Sequence, residues 1–225
     1  MDGQIDVWRI TWFTVVTATG ATLLMLPPGL LIAWALARGR FRGRVLLETV
    51  VSLPLVLPPV ATGLILLMLF APRGAIGRVL ERAGIDVVFT WKAVVLAMTI
   101  MGLPLLVRSV RAGIEQVDSR YEQVAATLGA GTLRVFLTIT LPLALPSVLA
   151  GAVLGFARAI GEFGATIMVA GSIPGSTRTI AVAIYSFSET GRDGDALTLV
   201  GICGAIAFVA LWFSNWLSAR TGLRA

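Results

Sequence analysis

The stretch that decides the fold is GIEQVDSRYEQVAATLGAGTLRVFLTITLPLALP, from Gly113 to Pro146. Its first half is polar and carries charges of both signs, whereas the chain from Val135 to about residue 161 is largely apolar. A helix of about 20 apolar residues crosses the hydrocarbon core of a bilayer. The stretch therefore marks the point at which a long polar loop, residues 112–138, leads into a membrane span.

The composition extends this interpretation to the whole chain. Of the 225 residues, 57% are hydrophobic and 13% are charged, whereas soluble domains carry about 25% charged residues. The apolar runs are too continuous for barrel strands, and helices satisfy their own backbone groups inside lipid. We predict an all-α polytopic membrane protein, with lipid as its main solvent. Five spans are expected, at about residues 10–37, 49–71, 91–107, 139–161 and 196–219.

Three further features refine this prediction. Ala165–Ser172 is expected to extend the fourth run, while Thr179–Phe187 is too short to cross alone. The prolines in LPLVLPP, residues 53–59, predict a kink in the second run. The spacing of Gly151 and Gly155 predicts a close approach of two helices.

The charges predict an orientation in the membrane. The net charge of +6 is explained by the enrichment of cytoplasmic loops in arginine and lysine, so we expect no nucleic-acid partner. Loops 38–48 and 108–138 and the tail with Arg220 and Arg224 are basic, whereas Asp2 and Asp6 precede the first span. With five spans, we predict an N-terminus outside the cell and a cytoplasmic C-terminus.

Several kinds of active site lack their usual residues. The chain has no histidine and one cysteine, Cys203, whereas zinc sites and serine-protease triads usually use histidine. A phosphate-binding P-loop needs a lysine followed by serine or threonine, and the only lysine is Lys92, which alanine follows. We therefore expect no catalytic residues, no metal and no cofactor, and any ATP-driven work must come from a partner.

The polar loop is predicted to form two short helices separated by glycines. Tyr121, Val124 and Leu128 fall on one helical stripe, and Thr132 is the predicted N-cap of the second helix. The alternative is an amphipathic helix lying on lipid, but the charges of both signs argue against it. Small residues leave a surface that another protein could approach closely: Ala125, Ala126, Gly129, Ala130 and Gly131.

This loop resembles the EAA loop of the permease subunits of type I ABC importers. The family pattern is E-A-A, three residues, G, nine residues and I-x-L-P, and Gly129 with Ile139, Leu141 and Pro142 matches its second part. Upstream, Gln123 and Val124 stand at the glutamate and first alanine positions, and Glu122 is one residue early. The resemblance implies a type I ABC importer permease fold, with one transmembrane domain over residues 1–225. It also implies that this loop docks on a separate ATPase subunit through Tyr121, Glu122, Gln123, Ala125, Ala126, Leu128, Gly129, Ala130, Gly131 and Arg134.

Within these permeases the chain is most similar to the molybdate permeases. The similarity lies in LPLVLPP at 53–59, TLGAG at 127–131, GEFGAT at 161–166 and IPGSTRTI at 173–180. It implies a homodimer in the plasma membrane of a prokaryote, the inner membrane if Gram-negative. It also implies an extracytoplasmic oxyanion-binding protein as a partner. Molybdate is the expected substrate, with sulfate and tungstate as alternatives.

A second candidate site follows the fourth span. Arg158 and Glu162 are four residues apart and share a helix face near the outer end of that span. Arg158 either attracts an incoming oxyanion or neutralises Glu162, and we favour the pairing. Phe163 and Gly164 complete the candidate gate, with Phe163 as an apolar plug.

A different class, the ion-coupled secondary transporters, would need intramembrane carboxylates and usually an inverted repeat. Glu162 is the one carboxylate that offers itself within a span.

Overall fold

The part of the chain that the structure describes folds into helices joined by loops, with no β-strand. This computed structural model describes residues 7–222, with the side chains of residues 7–216. Asp2, Asp6 and Arg224, which entered the orientation prediction, lie outside the described residues, as does the side chain of Arg220. The helices are α1 (Val7–Arg38), α2 (Arg44–Val56), α3 (Pro59–Phe70), α4 (Gly77–Arg82), α5 (Trp91–Gln116), α6 (Ser119–Thr127), α7 (Thr132–Val135), a π-helical turn (Phe136–Thr140), α8 (Leu141–Ile160), α9 (Gly164–Ala170), α10 (Ile180–Glu189) and α11 (Asp193–Gly222).

Among the described residues, four helical segments are long and apolar enough to cross a membrane: Val7–Arg38, Trp91–Gln116, Thr132–Ile160 and Asp193–Trp216. They correspond to the predicted spans 10–37, 91–107, 139–161 and 196–219. Helix α5 continues past residue 107, the predicted end of the span, to Gln116 and still buries Val110, Gly113 and Ile114 against the bundle. The predicted loop 112–138 is therefore helical at both ends.

The second predicted span, 49–71, is a broken helix. The chain bends by 113° between α2 and α3, and the described part of the chain has five candidate spans if this bent pair counts as one. Pro59 cannot donate an amide hydrogen, and a proline also keeps the residue before it extended. Leu57 and Pro58 are extended accordingly, with ψ of 143° and 131°. The predicted kink is confirmed, and it is sharper than a bend within one helix.

The core is formed by α1, α5 and α8, which approach closely at glycines. A Cβ on Gly29 of α1 would lie 2.6 Å from Leu106 Cδ2 of α5, and one on Gly151 of α8 would lie 2.9 Å from Ser109 Cβ. Gly155 packs against Met25, where a Cβ would lie 3.0 Å from Met25 Cε. Small residues let membrane helices gain van der Waals contact that lipid cannot replace. The predicted close approach at Gly151 and Gly155 is confirmed.

The prediction that Ala165–Ser172 extends the fourth span is wrong. The chain turns at residues 161–163, and α9 packs on α3 instead. A Cβ on Gly63 of α3 would lie 2.7 Å from Ala165 Cα, and one on Gly164 would lie 2.8 Å from Pro59 Cβ. α10 is a short apolar helix, as expected for a segment too short to cross alone.

Candidate functional site

The first candidate site is the coupling segment, residues 117–140, at one end of the bundle. Its helix α6 begins where the side chain of Asp118 accepts a hydrogen bond from the Arg120 amide at 2.9 Å. It ends at Thr127, and Gly129 follows two residues later with a φ of +82°, which favours glycine. The predicted break at glycine is thereby confirmed. The predicted N-cap Thr132 is instead the first residue of α7, and Gly131 is the N-cap.

The outer face of the coupling segment is an exposed apolar surface with small residues beside it. Tyr121, Val124 and Leu128 of the predicted stripe are exposed, as is Leu133 of α7. Exposed apolar patches of this kind mark binding surfaces for proteins or membranes. Of the other predicted coupling residues, Gln123, Ala126, Gly129, Gly131 and Arg134 are exposed, and Ala125 and Ala130 are partly buried.

Glu122 differs from its neighbours because its carboxylate engages the membrane helices. Its Oε1 accepts hydrogen bonds from Arg38 Nε at 3.1 Å and from Thr140 Oγ1 at 2.7 Å. A second nitrogen of Arg38 donates to the Val117 carbonyl at 2.7 Å. Sequence reasoning missed Arg38 and Thr140, since neither lies at a helical spacing from Glu122.

A second ionic cluster joins α2 to the end of α5. Arg111 contacts Glu48 at 2.7 Å and Glu115 at 2.8 Å, and Arg44 lies 3.8 Å from Glu115. Together with the Arg38–Glu122 pair, this cluster brings segments 38–48 and 108–138 to the same end of the bundle.

The second candidate site is the turn between α8 and α9. Arg158 Nη1 lies 2.6 Å from Glu162 Oε2, and the Glu162 side chain is 1% exposed. Glu162 Oε1 accepts a hydrogen bond from the Ala165 amide at 2.7 Å. The carboxylate thus provides an acceptor for one of the first amides of α9, which have no partner within the helix. The predicted pairing is confirmed, and the geometry adds a capping role.

The remaining gate candidates lie beside this pair. The Phe163 ring contacts the Tyr185 ring of α10, with centroids 4.9 Å apart and planes at 41°, and Gly164 packs on Pro59. Tyr185 carried no sequence signal, because its contact depends on how α10 folds back. The turn follows the far end of α8, whose 20 residues span about 30 Å at 1.5 Å per residue. The two sites therefore lie at opposite ends of the bundle.

Comparison with known proteins decides the family. A protein-family model described as "Binding-protein-dependent transport system inner membrane component" matches residues 26–222. The chain belongs to this family. It is thus a permease subunit of an ABC importer, as the EAA-loop resemblance predicted.

Relatives and solved structures agree with this assignment. The permease is 46% identical over 220 residues to the molybdenum transport system permease protein ModB of Escherichia coli K12, covering 97% of this chain and 96% of that protein. It is 37% identical to the sulfate transport system permease protein CysT of Salmonella typhimurium, covering 87% and 71%. A solved chain from a bacterial ABC transporter involved in alginate import shares the fold, with a TM-score of 0.73, 18% identity and coverage of 98% and 80%.

Proposed function

We propose that this permease is the membrane-spanning subunit through which an ATP-driven importer carries molybdate into the cell. The observation that carries this proposal is the 46% identity to a molybdenum permease over nearly the whole of both chains. Sulfate is the second candidate, because the sulfate permease is also similar, at lower identity and coverage. Tungstate is a third, since it shares the charge and tetrahedral shape of molybdate.

The proposed assembly has three kinds of partner. An ATPase subunit docks on the exposed face of α6 and α7, which supplies apolar contact at Leu128 and close access at the glycines. An extracytoplasmic binding protein delivers the anion at the opposite end. A second copy of this chain completes the pathway, and the exposed apolar side chains of α2 and α3 suit a protein or lipid neighbour.

The proposed orientation has the N-terminus outside and the C-terminus in the cytoplasm. The cytoplasmic end then carries the coupling segment together with Arg38, Arg44 and Arg111, in agreement with the enrichment of basic residues on that side. Residues 1–225 act as one transmembrane domain in this arrangement.

The test of the proposed function is uptake into proteoliposomes that contain this permease, its ATPase and its binding protein. We expect ATP-dependent accumulation of radioactive molybdate, with competition by tungstate and weaker competition by sulfate. A proton gradient without ATP should drive no accumulation of molybdate. Uptake driven by an ion gradient alone, or sulfate uptake that molybdate does not inhibit, would refute the proposal.

We also propose that the α8–α9 turn is the outer gate, with Phe163 as its apolar plug. The Phe163 ring lies against Tyr185 of α10. Opening of the gate therefore requires the α8–α9 turn to move away from α10. Phe163→Ala removes the plug and is expected to let preloaded molybdate leak out of vesicles without ATP, and to raise the ATP consumed per anion imported. Tyr185→Phe is the matched control, because it keeps a ring at the contact. Unchanged leakage and coupling in Phe163→Ala would rule out the plug.

A further inference from the structure

The helix α6 needs an anchor to the bundle. It has nine residues, all of them described, and none is buried. An isolated helix of this length is marginally stable in water, so its position depends on tertiary contacts. Glu122 supplies such contacts, because its Oε1 meets one donor from α1 and one from the π-helical turn that leads into α8.

Arg38 holds both sides of the joint between α5 and α6. One of its nitrogens donates to the carbonyl of Val117, the residue that follows α5, and another donates to Glu122 within α6. Two residues, Val117 and Asp118, connect these helices. The planar guanidinium holds its donors in a fixed fork, so the angle between α5 and α6 is set by one side chain of α1.

We propose that Arg38 and Glu122 form a joint that keeps α6 in register with α1, α5 and α8, so that displacement of α6 by the ATPase moves these membrane helices. Both residues are positioning residues. Glu122 then acts through Arg38 and Thr140, and the exposed stripe of α6 meets the ATPase. This inference rests on the proposed function, because it takes an ATPase as the protein that moves α6.

The exposure of the pair suits a joint that reforms in every cycle. The side chains of Arg38 and Glu122 are 24% and 19% exposed. A partly hydrated pair can separate without leaving a charge stranded in an apolar interior, where an unpaired charge is strongly destabilising. Thr140 contributes a neutral donor to the same oxygen, so one contact can loosen while the other holds.

The experiment is a double-mutant cycle with Arg38→Gln, Glu122→Gln and both changes together, in the complete importer. Copurification of the ATPase, ATP hydrolysis with and without the binding protein, and molybdate uptake are measured on the same preparations. Arg42→Gln is the matched control, since it removes an exposed arginine from the same segment. Hydrogen exchange of the amides of residues 119–127 reports directly on how firmly α6 is held.

We expect each single variant to retain the ATPase while the ATP consumed per anion rises about three- to tenfold, within the range by which single mutations change the coupling between two sites. The amides of α6 should exchange faster. The double variant should be no worse than the more impaired single variant, because each change removes the same contact. Arg42→Gln should behave as the wild type.

Two results would overturn the joint. Loss of the ATPase from Glu122→Gln, with unchanged exchange in α6, would make Glu122 a direct contact with the ATPase. Effects that multiply in the double variant would show that Arg38 and Glu122 act separately. Failure of the wild type to bind an ATPase or import with ATP would instead refute the proposed function, and this inference with it.

Discussion

Two of the arginine–glutamate pairs, Arg158–Glu162 and Arg38–Glu122, lie at opposite ends of the bundle and differ in burial and in what they join. Arg158–Glu162 lies within one turn of chain, and its carboxylate is almost fully buried. Arg38–Glu122 joins residues 84 positions apart and stays partly exposed. A buried pair is costly to break and suits a fixed turn, whereas a hydrated pair contributes little stability and can open. We therefore expect the outer turn to keep its own geometry when it moves against α10, and the pair at the coupling end to open.

The largest expected effect comes from breaking the buried pair. Glu162→Ala leaves Arg158 unpaired and the Ala165 amide without its acceptor. We expect the free energy of unfolding to fall by about 3 kcal/mol. This is the low end for a buried pair, because Arg158 keeps some access to solvent. Glu162→Gln should lose less, since its amide oxygen can still accept from Ala165. The midpoint of thermal unfolding in detergent measures both.

Asp195→Asn is the control for this prediction. It removes a carboxylate from an exposed pair, in which Arg192 Nε lies 2.9 Å from Asp195 Oδ2. Such pairs contribute about 0–1 kcal/mol. If Glu162→Ala unfolds at the same temperature as Asp195→Asn, the outer turn is not held by its buried carboxylate.

The coupling end should be more sensitive to backbone strain than to charge. Gly129→Ala places a Cβ at φ +82° with nothing within 4 Å of it, so its cost is conformational, about 1–2 kcal/mol. Gly131→Ala is a matched control, because Gly131 has a φ of −68° and is equally open. We expect faster hydrogen exchange in α6 and weaker molybdate uptake for Gly129→Ala alone. Equal effects of the two changes would show that space, rather than the left-handed backbone, requires glycine there.

The same contrast explains what the sequence could predict. Features that depend on local spacing were predictable: the apolar runs, the break at Gly129, and the pairing of Arg158 with Glu162 one helical turn later. Features that depend on tertiary packing were not. The Arg38–Glu122 contact forms only if α1 and α5 end at the same level of the bundle. The separate helix α9 depends on the bend before α3, which places the start of α3 against Gly164. The π-helical turn that brings Thr140 to Glu122 has no sequence pattern of its own.

The smallest predicted effect comes from salt, and it separates the two pairs without mutation. The Debye length falls from about 10 Å at 0.1 M to about 3 Å at 1 M ionic strength, and exposed pairs are screened much more than buried ones. Raising sodium chloride over this range should speed hydrogen exchange in α6 by about two- to threefold, in keeping with a partly exposed pair worth less than 1 kcal/mol. The Ala165 amide donates a hydrogen bond to Glu162 inside the outer turn. Its hydrogen should exchange at an unchanged rate.

The Arg38→Gln, Glu122→Gln double variant shows whether this salt effect belongs to the pair. It has no charge at either position, so screening has nothing to weaken there, and exchange in α6 should be fast at both salt concentrations. A salt response that persists in the double variant would trace the effect to other charges, such as the Arg111 cluster at the end of α5. A response of equal size at Ala165 would mean that both ends loosen together, and the contrast between a rigid and a movable pair would fail.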